Sequence, residues 1–267
     1  MEHADGLTAA LLALFGGLIL FFLWRARRGH VPYVRPIAGI TAMEEAVGRA
    51  TELGRPVIFA MGESDVRDII THASLSVLEY VARLAARLRT PFRVLVQKPD
   101  VYAFAESAVH NAYQAEGAGE VFNAQEQVQY LSDNTIVFAM STARMIEDTQ
   151  AGCALFVGTF SFSSLLMTEP GSRAGVLQIA ADPNLAQVPF YVCTCDYTII
   201  GEEYFAAGSY VSADPALRGG LVSQDLIKVV FGVLIVVGLG AKLLYDFKWF
   251  HWAWMGKVVS ALTHYSD

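Results

Sequence analysis

Val57-Ile58-Phe59-Ala60-Met61-Gly62-Glu63-Ser64-Asp65 is the stretch on which the fold turns. Five uncharged apolar residues run into a glycine and a polar cluster, the pattern of a short strand buried on both faces and ended by a turn. Strands of that kind belong to parallel sheets covered by helices. Upstream, Thr41-x-x-Glu44 has the spacing of a capping box, predicting a helix from Thr41 that Gly54 ends. Downstream, Leu75, Leu78, Val81, Leu84, Ala85 and Leu88 recur at three and four, predicting an amphipathic helix over 71–88 closed by Pro91. The alternation continues with strands at 92–97, 128–131, 153–157, 176–180 and 190–195, and helices at 101–116, 134–149, 161–168 and 198–211. The fold class expected is α/β: a Rossmann-like, mostly parallel sheet with helices on both faces, flanked by two transmembrane helices.

The flanks follow from the chain ends. Residues 7–24 hold no charge and rise about 27 Å as a helix, close to the thickness of a bilayer's hydrocarbon. Arg25, Arg27, Arg28 and Arg35 follow at once, whereas Glu2 and Asp5 precede, so positive residues place the middle of the chain in the cytoplasm. A cleaved signal would carry its basic residues before the apolar run. A second span is expected at 226–245, interrupted only by Lys228 and by Lys242, both of which can snorkel. The divisions are 1–28 for the first helix and its basic stop, 29–40 for a linker with Pro32 and Pro36, and 41–212 for the α/β domain. A second linker at 213–225, the second span and a tail at 246–267 complete them. That tail holds Trp249, Trp252 and Trp254 and reads as lying along the membrane surface, with His251 and His264 interfacial rather than metal-binding. The address expected from these charges is a cell membrane with the domain on its cytoplasmic side.

The 267 residues are 54% hydrophobic and carry a formal net charge of −7, with no basic stripe in the domain. That excludes a nucleic-acid footprint. Cys153, Cys193 and Cys195 fall in apolar runs that read as strands, and the C-x-C pair lacks metal or redox spacing. They read as structural.

Ligands of open parallel sheets bind beyond the carboxyl ends of strands. Two loops have suitable residues there: Gly62, Ser64 and Asp65 after the first strand, and Gly158, Thr159 and Ser161 after the strand holding Cys153. Asp196 after the expected last strand joins them, with Glu202, Glu203 and Asp182 as carboxylates for acid–base work or for a cation. Neither loop is a dinucleotide or phosphate fingerprint, and ordinary capped turns are the plainer explanation of both. Glu63 and Asp65 repel a phosphate, so a neutral or cationic ligand suits the first loop better. Adjacent Glu202 and Glu203 diverge on a helix and are explained by its dipole. Ser163 and Ser164 with His72 or His110 lack a nucleophile elbow. No catalytic residue, metal or cofactor is assigned.

The segments Thr41-Ala42-Met43-Glu44-Glu45-Ala46-Val47-Gly48-Arg49-Ala50-Thr51-Glu52-Leu53-Gly54-Arg55-Pro56, Tyr80-Val81-Ala82-Arg83-Leu84-Ala85-Ala86 and Cys195-Asp196-Tyr197-Thr198-Ile199-Ile200-Gly201-Glu202-Glu203 resemble an uncharacterised prokaryotic family of membrane-anchored proteins, a domain of unknown function. The resemblance runs from about Pro36 through the second span and implies membership and a prokaryotic cytoplasmic membrane, without a mechanism. The function expected is a membrane-anchored cytoplasmic module for assembly or ligand binding; the alternative is a membrane-bound enzyme with a small-molecule site at the strand ends. The partners expected are the bilayer and either a further copy of the chain or a membrane-protein complex. Gly16, Gly17, Gly232, Gly238 and Gly240 permit close helix contact.

Overall fold

A computed structural model describes residues 6–28, 37–211 and 215–246. The chain forms two units, an α/β unit within 34–214 and a helical unit from the two ends. In chain order the elements are α1 Gly6–Arg27, α2 Ala38–Glu52, β1 Val57–Met61, α3 Ile69–Leu88, β2 Phe92–Val96, α4 Pro99–Ala115, α5 Ala124–Gln127 and β3 Val128–Tyr130. Then follow α6 Thr135–Asp148, β4 Cys153–Val157, α7 Ser164–Arg173, β5 Leu177–Asp182, α8 Val188–Thr194, β6 Tyr197–Ile200, α9 Glu202–Val211 and α10 Pro215–Asp246.

The α/β unit is built on a six-stranded sheet of order β3-β2-β1-β4-β5-β6 in which every pairing is parallel. Because side chains alternate along a strand, β1 sends Val57, Phe59 and Met61 to one apolar core and Ile58 and Ala60 to another. The first core is closed by α2, α3, α4 and α9, the second by α6, α7 and α8. Chain order reverses between β1 and β4, so their carboxyl ends border the cleft position of the sheet.

Local chemistry accounts for most boundaries. The Asn134 side chain caps α6, accepting from Ile136 N at 3.0 Å and Val137 N at 3.1 Å. Gly54 follows α2 in the left-handed region, with φ +63. Several expectations need correction. The helix expected from Thr41 starts at Ala38, and its first turn has no side-chain cap. Tertiary packing sets that start: Ile37 and Ile40 are buried, and a Cβ on Gly39 would lie 2.2 Å from Ile199 Cγ1. Glu44 accepts instead from the Tyr80 hydroxyl.

The strand expected at 190–195 is the helix α8, and the chain becomes β6 two residues after that strand would end, overlapping the start of the expected helix 198–211. Pro189 sits in the first turn of α8, and the helix buries Tyr191 against the second core, outweighing the β-propensity of the run. Cys193 and Cys195 therefore share no strand face; Cys193 is exposed, while burial pushes the thiols of Cys153 and Cys195 up to about 12. The expected helix 161–168 lies at Ser164–Arg173 and runs through Pro170. Gly171 lets Gln178 approach, and the Gln178 amide donates to the carbonyls of Thr168 and Thr194 at 2.8 Å each.

In the helical unit, the linker expected at 213–225 is helical from Pro215 onward, a residue suited to a first helical position. Among the described residues one helix is long and apolar enough to cross a membrane, over Gly219–Leu243, with mean hydropathy 2.3. That is one such helix where two were expected; α1 covers the other expected span. The two helices pack antiparallel, Phe15 stacking on Phe231 at 4.6 Å and Gly219 lying against Ala26 and Phe22. Gly16, Gly17, Gly232 and Gly240 make no such contact. Gly219 does, because a Cβ there would lie 2.7 Å from the Ala26 Cβ. The linker part 29–36 and the tail 247–267 lie outside the described residues.

Candidate functional site

The carboxyl ends of β1, β4 and β5 converge on two loops, 62–68 and 158–163. The backbone pairing of the sheet continues past the strands: Gly62 N donates to Val157 O at 3.0 Å, Glu63 N to Thr159 O at 2.8 Å and Gly158 N to Ala181 O at 2.9 Å. These are the N–H groups that would face a ligand in an open cleft, and each is spent within the protein. The loops also touch without side chains between them. A Cβ on Gly62 would lie 2.6 Å from Thr159 N, and one on Gly158 would lie 2.7 Å from Gly62 Cα. Gly158 has φ +128, open in practice only to glycine.

Glu63 closes the top of this contact. Its Oε2 accepts from Ser161 Oγ at 2.7 Å and its Oε1 from Ser163 Oγ at 2.5 Å. Asp182, at the end of β5, holds the same loop from below: its Oδ2 accepts from Phe160 N and from the Tyr191 hydroxyl, both at 3.1 Å, and its Oδ1 from Asn184 N at 2.7 Å. Burial pushes the Asp182 carboxyl up to about 6, with the charge of Glu63 adding to the rise and the three hydrogen bonds opposing it. Ser164 Oγ donates to Gln187 Oε1 at 2.6 Å, tying α7 to the segment before α8.

Of the residues expected at the site, Gly62, Gly158, Thr159 and Ser161 come together. Ser64 and Asp65 lie on the same loop but are reached only through their carbonyls, which accept from Thr71 Oγ1 at 3.2 and 2.7 Å. The Asp65 carboxylate is exposed, 3.9 Å from Lys98 Nζ. Asp196 does not belong with them. It precedes β6 instead of following a strand, so it sits at the amino end of the sheet, where its Oδ2 accepts from Gln178 N at 2.8 Å. There it borders a cavity of about 300 Å³ lined also by Arg49, Arg55, Ser172 and Thr194. Asp182, one of those weighed as a cation ligand, does stand at the loops beside Glu63, because β5 runs on to 182, two residues past the end of the strand expected at 176–180.

Ser163 and Ser164 are engaged by Glu63 and Gln187, and the ring of His110 meets Gln114, so no serine–histidine pair forms. Among the described residues no group of three His, Cys, Asp or Glu side chains is placed to hold a metal ion. The arrangement is a clasp in which two carboxylates pin one loop to the rest of the sheet end.

That clasp has a titration signature. Asp182 binds a proton more readily in the fold than in the unfolded chain, so stability falls as pH rises from about 4 to about 6, by roughly 2 kcal/mol. Asp182→Asn should flatten that slope in urea titrations at pH 4, 5, 6 and 7; an unchanged slope would assign it elsewhere.

No curated protein and no solved structure matches the chain. A family model described as "Domain of unknown function (DUF6754)" matches residues 3–252, extending the resemblance through α1 and past α10. With nearly the whole length matched, the chain belongs to the DUF6754 family.

Proposed function

We propose that the chain is a two-span protein of a prokaryotic cytoplasmic membrane that presents its α/β domain to the cytoplasm as an assembly module. The observation that carries this reading is a contrast on one domain. The sheet-end cleft where ligands of such folds bind is filled by protein atoms, while the layer of α6 and α7 leaves large apolar side chains in water. The strand order is that of doubly wound dinucleotide-binding folds, which supports a Rossmann-like ancestry. The phosphate position, however, is occupied by Glu63 and by paired N–H groups.

The membrane half of the reading rests on α10 and on the antiparallel contact of α1 with it. At the end of α1, Arg28 lies over the Trp24 ring at 3.8 Å, a pairing suited to the headgroup layer. The enzyme alternative has one group in its favour, the buried Asp182 carboxyl.

Extraction in a mild detergent followed by native mass spectrometry tests the proposal. A stoichiometric protein assembly is the expected result. A lone 29.1 kDa chain carrying a small metabolite would overturn it in favour of the enzyme.

A further inference from the structure

The exposed apolar side chains of the α/β unit are unevenly placed. On the layer of α2, α3, α4 and α9 they occur singly, as Ile69 and Phe104, which is ordinary for a protein surface. On the other layer they adjoin. The first two turns of α6 expose Ile136, Val137 and Met140, and the start of α7 exposes Leu165 and Leu166 with Phe162 just before it. Met140 and Phe162 are 63% and 65% exposed, far more than packing within the fold requires. Leu185, 67% exposed, extends the patch across the Ser164–Gln187 bond. All follow carboxyl ends of strands, so the patch occupies one half of the helical layer.

Further along α6 and α7 the surface is charged with both signs. Arg144 pairs with Asp148 along α6, and Arg173 pairs with Glu169 along α7. Neither helix carries a lysine or arginine before Arg144 and Arg173, and Asp133 adjoins the start of α6. An anionic bilayer surface asks for basic residues among the apolar ones, so this face is poorly suited to lipid. A face that is apolar at one end and mixed in sign at the other is complementary to its own copy turned by a two-fold axis.

Size points the same way. The exposed parts of these side chains sum to roughly 700 Å², close to the about 800 Å² that each partner of a stable interface buries. Two chains held in one bilayer also meet at a raised effective concentration, so a patch of this size suffices. We propose that a second copy of this chain docks on the amino-terminal halves of α6 and α7, face to face about a two-fold axis. The inference rests on the assembly reading and adds to it the identity of the partner and the surface it uses.

The test uses the full chain in lipid nanodiscs, co-expressed with two different tags. Native mass spectrometry and single-molecule co-localisation should find both tags in one particle. Met140→Asp with Leu166→Asp should weaken the dimer by about 100-fold or more, as loss of a central apolar contact does. Val121→Asp, at an equally exposed apolar residue elsewhere, should leave it intact. A thermal midpoint matching the parent shows that the double variant is folded. If it is not, Met140→Cys in a Cys193→Ser background decides: oxidation should link two copies through residue 140.

A parent chain that stays monomeric in nanodiscs, a dimer indifferent to Met140→Asp/Leu166→Asp, or no cross-link at residue 140 would overturn the inference. A complex with a different protein would overturn the second-copy inference while leaving the assembly reading standing. A lone chain with a bound metabolite would remove both.

Discussion

Gly62→Ala should destabilise the α/β domain by about 3 kcal/mol or more, which is large for the addition of one methyl group. The new Cβ would lie 2.6 Å from Thr159 N and 2.8 Å from both the carbonyl carbon and the Cα of Gly158. All three are backbone atoms, so no rotamer change relieves the contact. Those atoms are also fixed in place by the pairing of Glu63 N with Thr159 O and by the Glu63 bonds to Ser161 and Ser163. Gly158→Ala should cost more still, since φ +128 adds backbone strain to an equivalent clash. Gly48→Ala, inside α2 with nothing within 4 Å of the added atom, should have the opposite sign and stabilise by about 1 kcal/mol. Urea unfolding of the three variants in one detergent checks the series. A Gly62→Ala midpoint at or above that of the parent would mean that the two loops are not in contact.

This closure explains what could and could not be read from residue order. The strands β1 and β4 were legible to the residue, because uninterrupted apolar runs ended by glycine leave little choice of element. Gly62 and Gly158 were legible as neighbours of the sheet end, since a parallel sheet puts every strand's carboxyl end on one side. Whether the gap between them was open was not legible. That depends on how near the two backbones pass, and no local pattern records an approach between residues 96 positions apart.

The region from Val188 to Ile200 failed for a related reason. Phe190-Tyr191-Val192-Cys193 has the composition of a strand, and only the seat for Tyr191 beneath Asp182 makes it helical. Misplacing that element moved Asp196 to the wrong end of the sheet, while ending the preceding strand at 180 left Asp182 short of its place at the end of β5. Pro215, Gly219 and Gly220 misled in the same way. Gly219 is small because Ala26 passes against it, a reason that lies in α1 rather than in its own neighbourhood.

Two charges placed in α10 should invert the address of everything beyond it. Val233 and Val236 lie in the middle of the apolar stretch, 56% and 70% exposed within the helical unit, so in a bilayer they face hydrocarbon. An aspartate near the centre of a span costs about 2.5 to 3.5 kcal/mol, and Val233→Asp with Val236→Asp together cost enough to prevent insertion. On the two-span proposal α1 is untouched by this change, so the domain should stay anchored and keep its orientation. Single cysteines at Gly117, in the domain, and at Ser260, beyond α10, then report separately on the two sides when Cys193 and Cys195 are replaced by serine. In the parent, a membrane-impermeant thiol reagent applied from outside intact cells should label position 260 and spare position 117. In the double aspartate variant both positions should be protected, since the tail then remains in the cytoplasm with the domain. Labelling of position 117 from outside would reverse the proposed orientation. Protection of both positions in the parent would mean that α10 does not cross, leaving a hairpin whose apolar surface must be covered by protein instead of lipid.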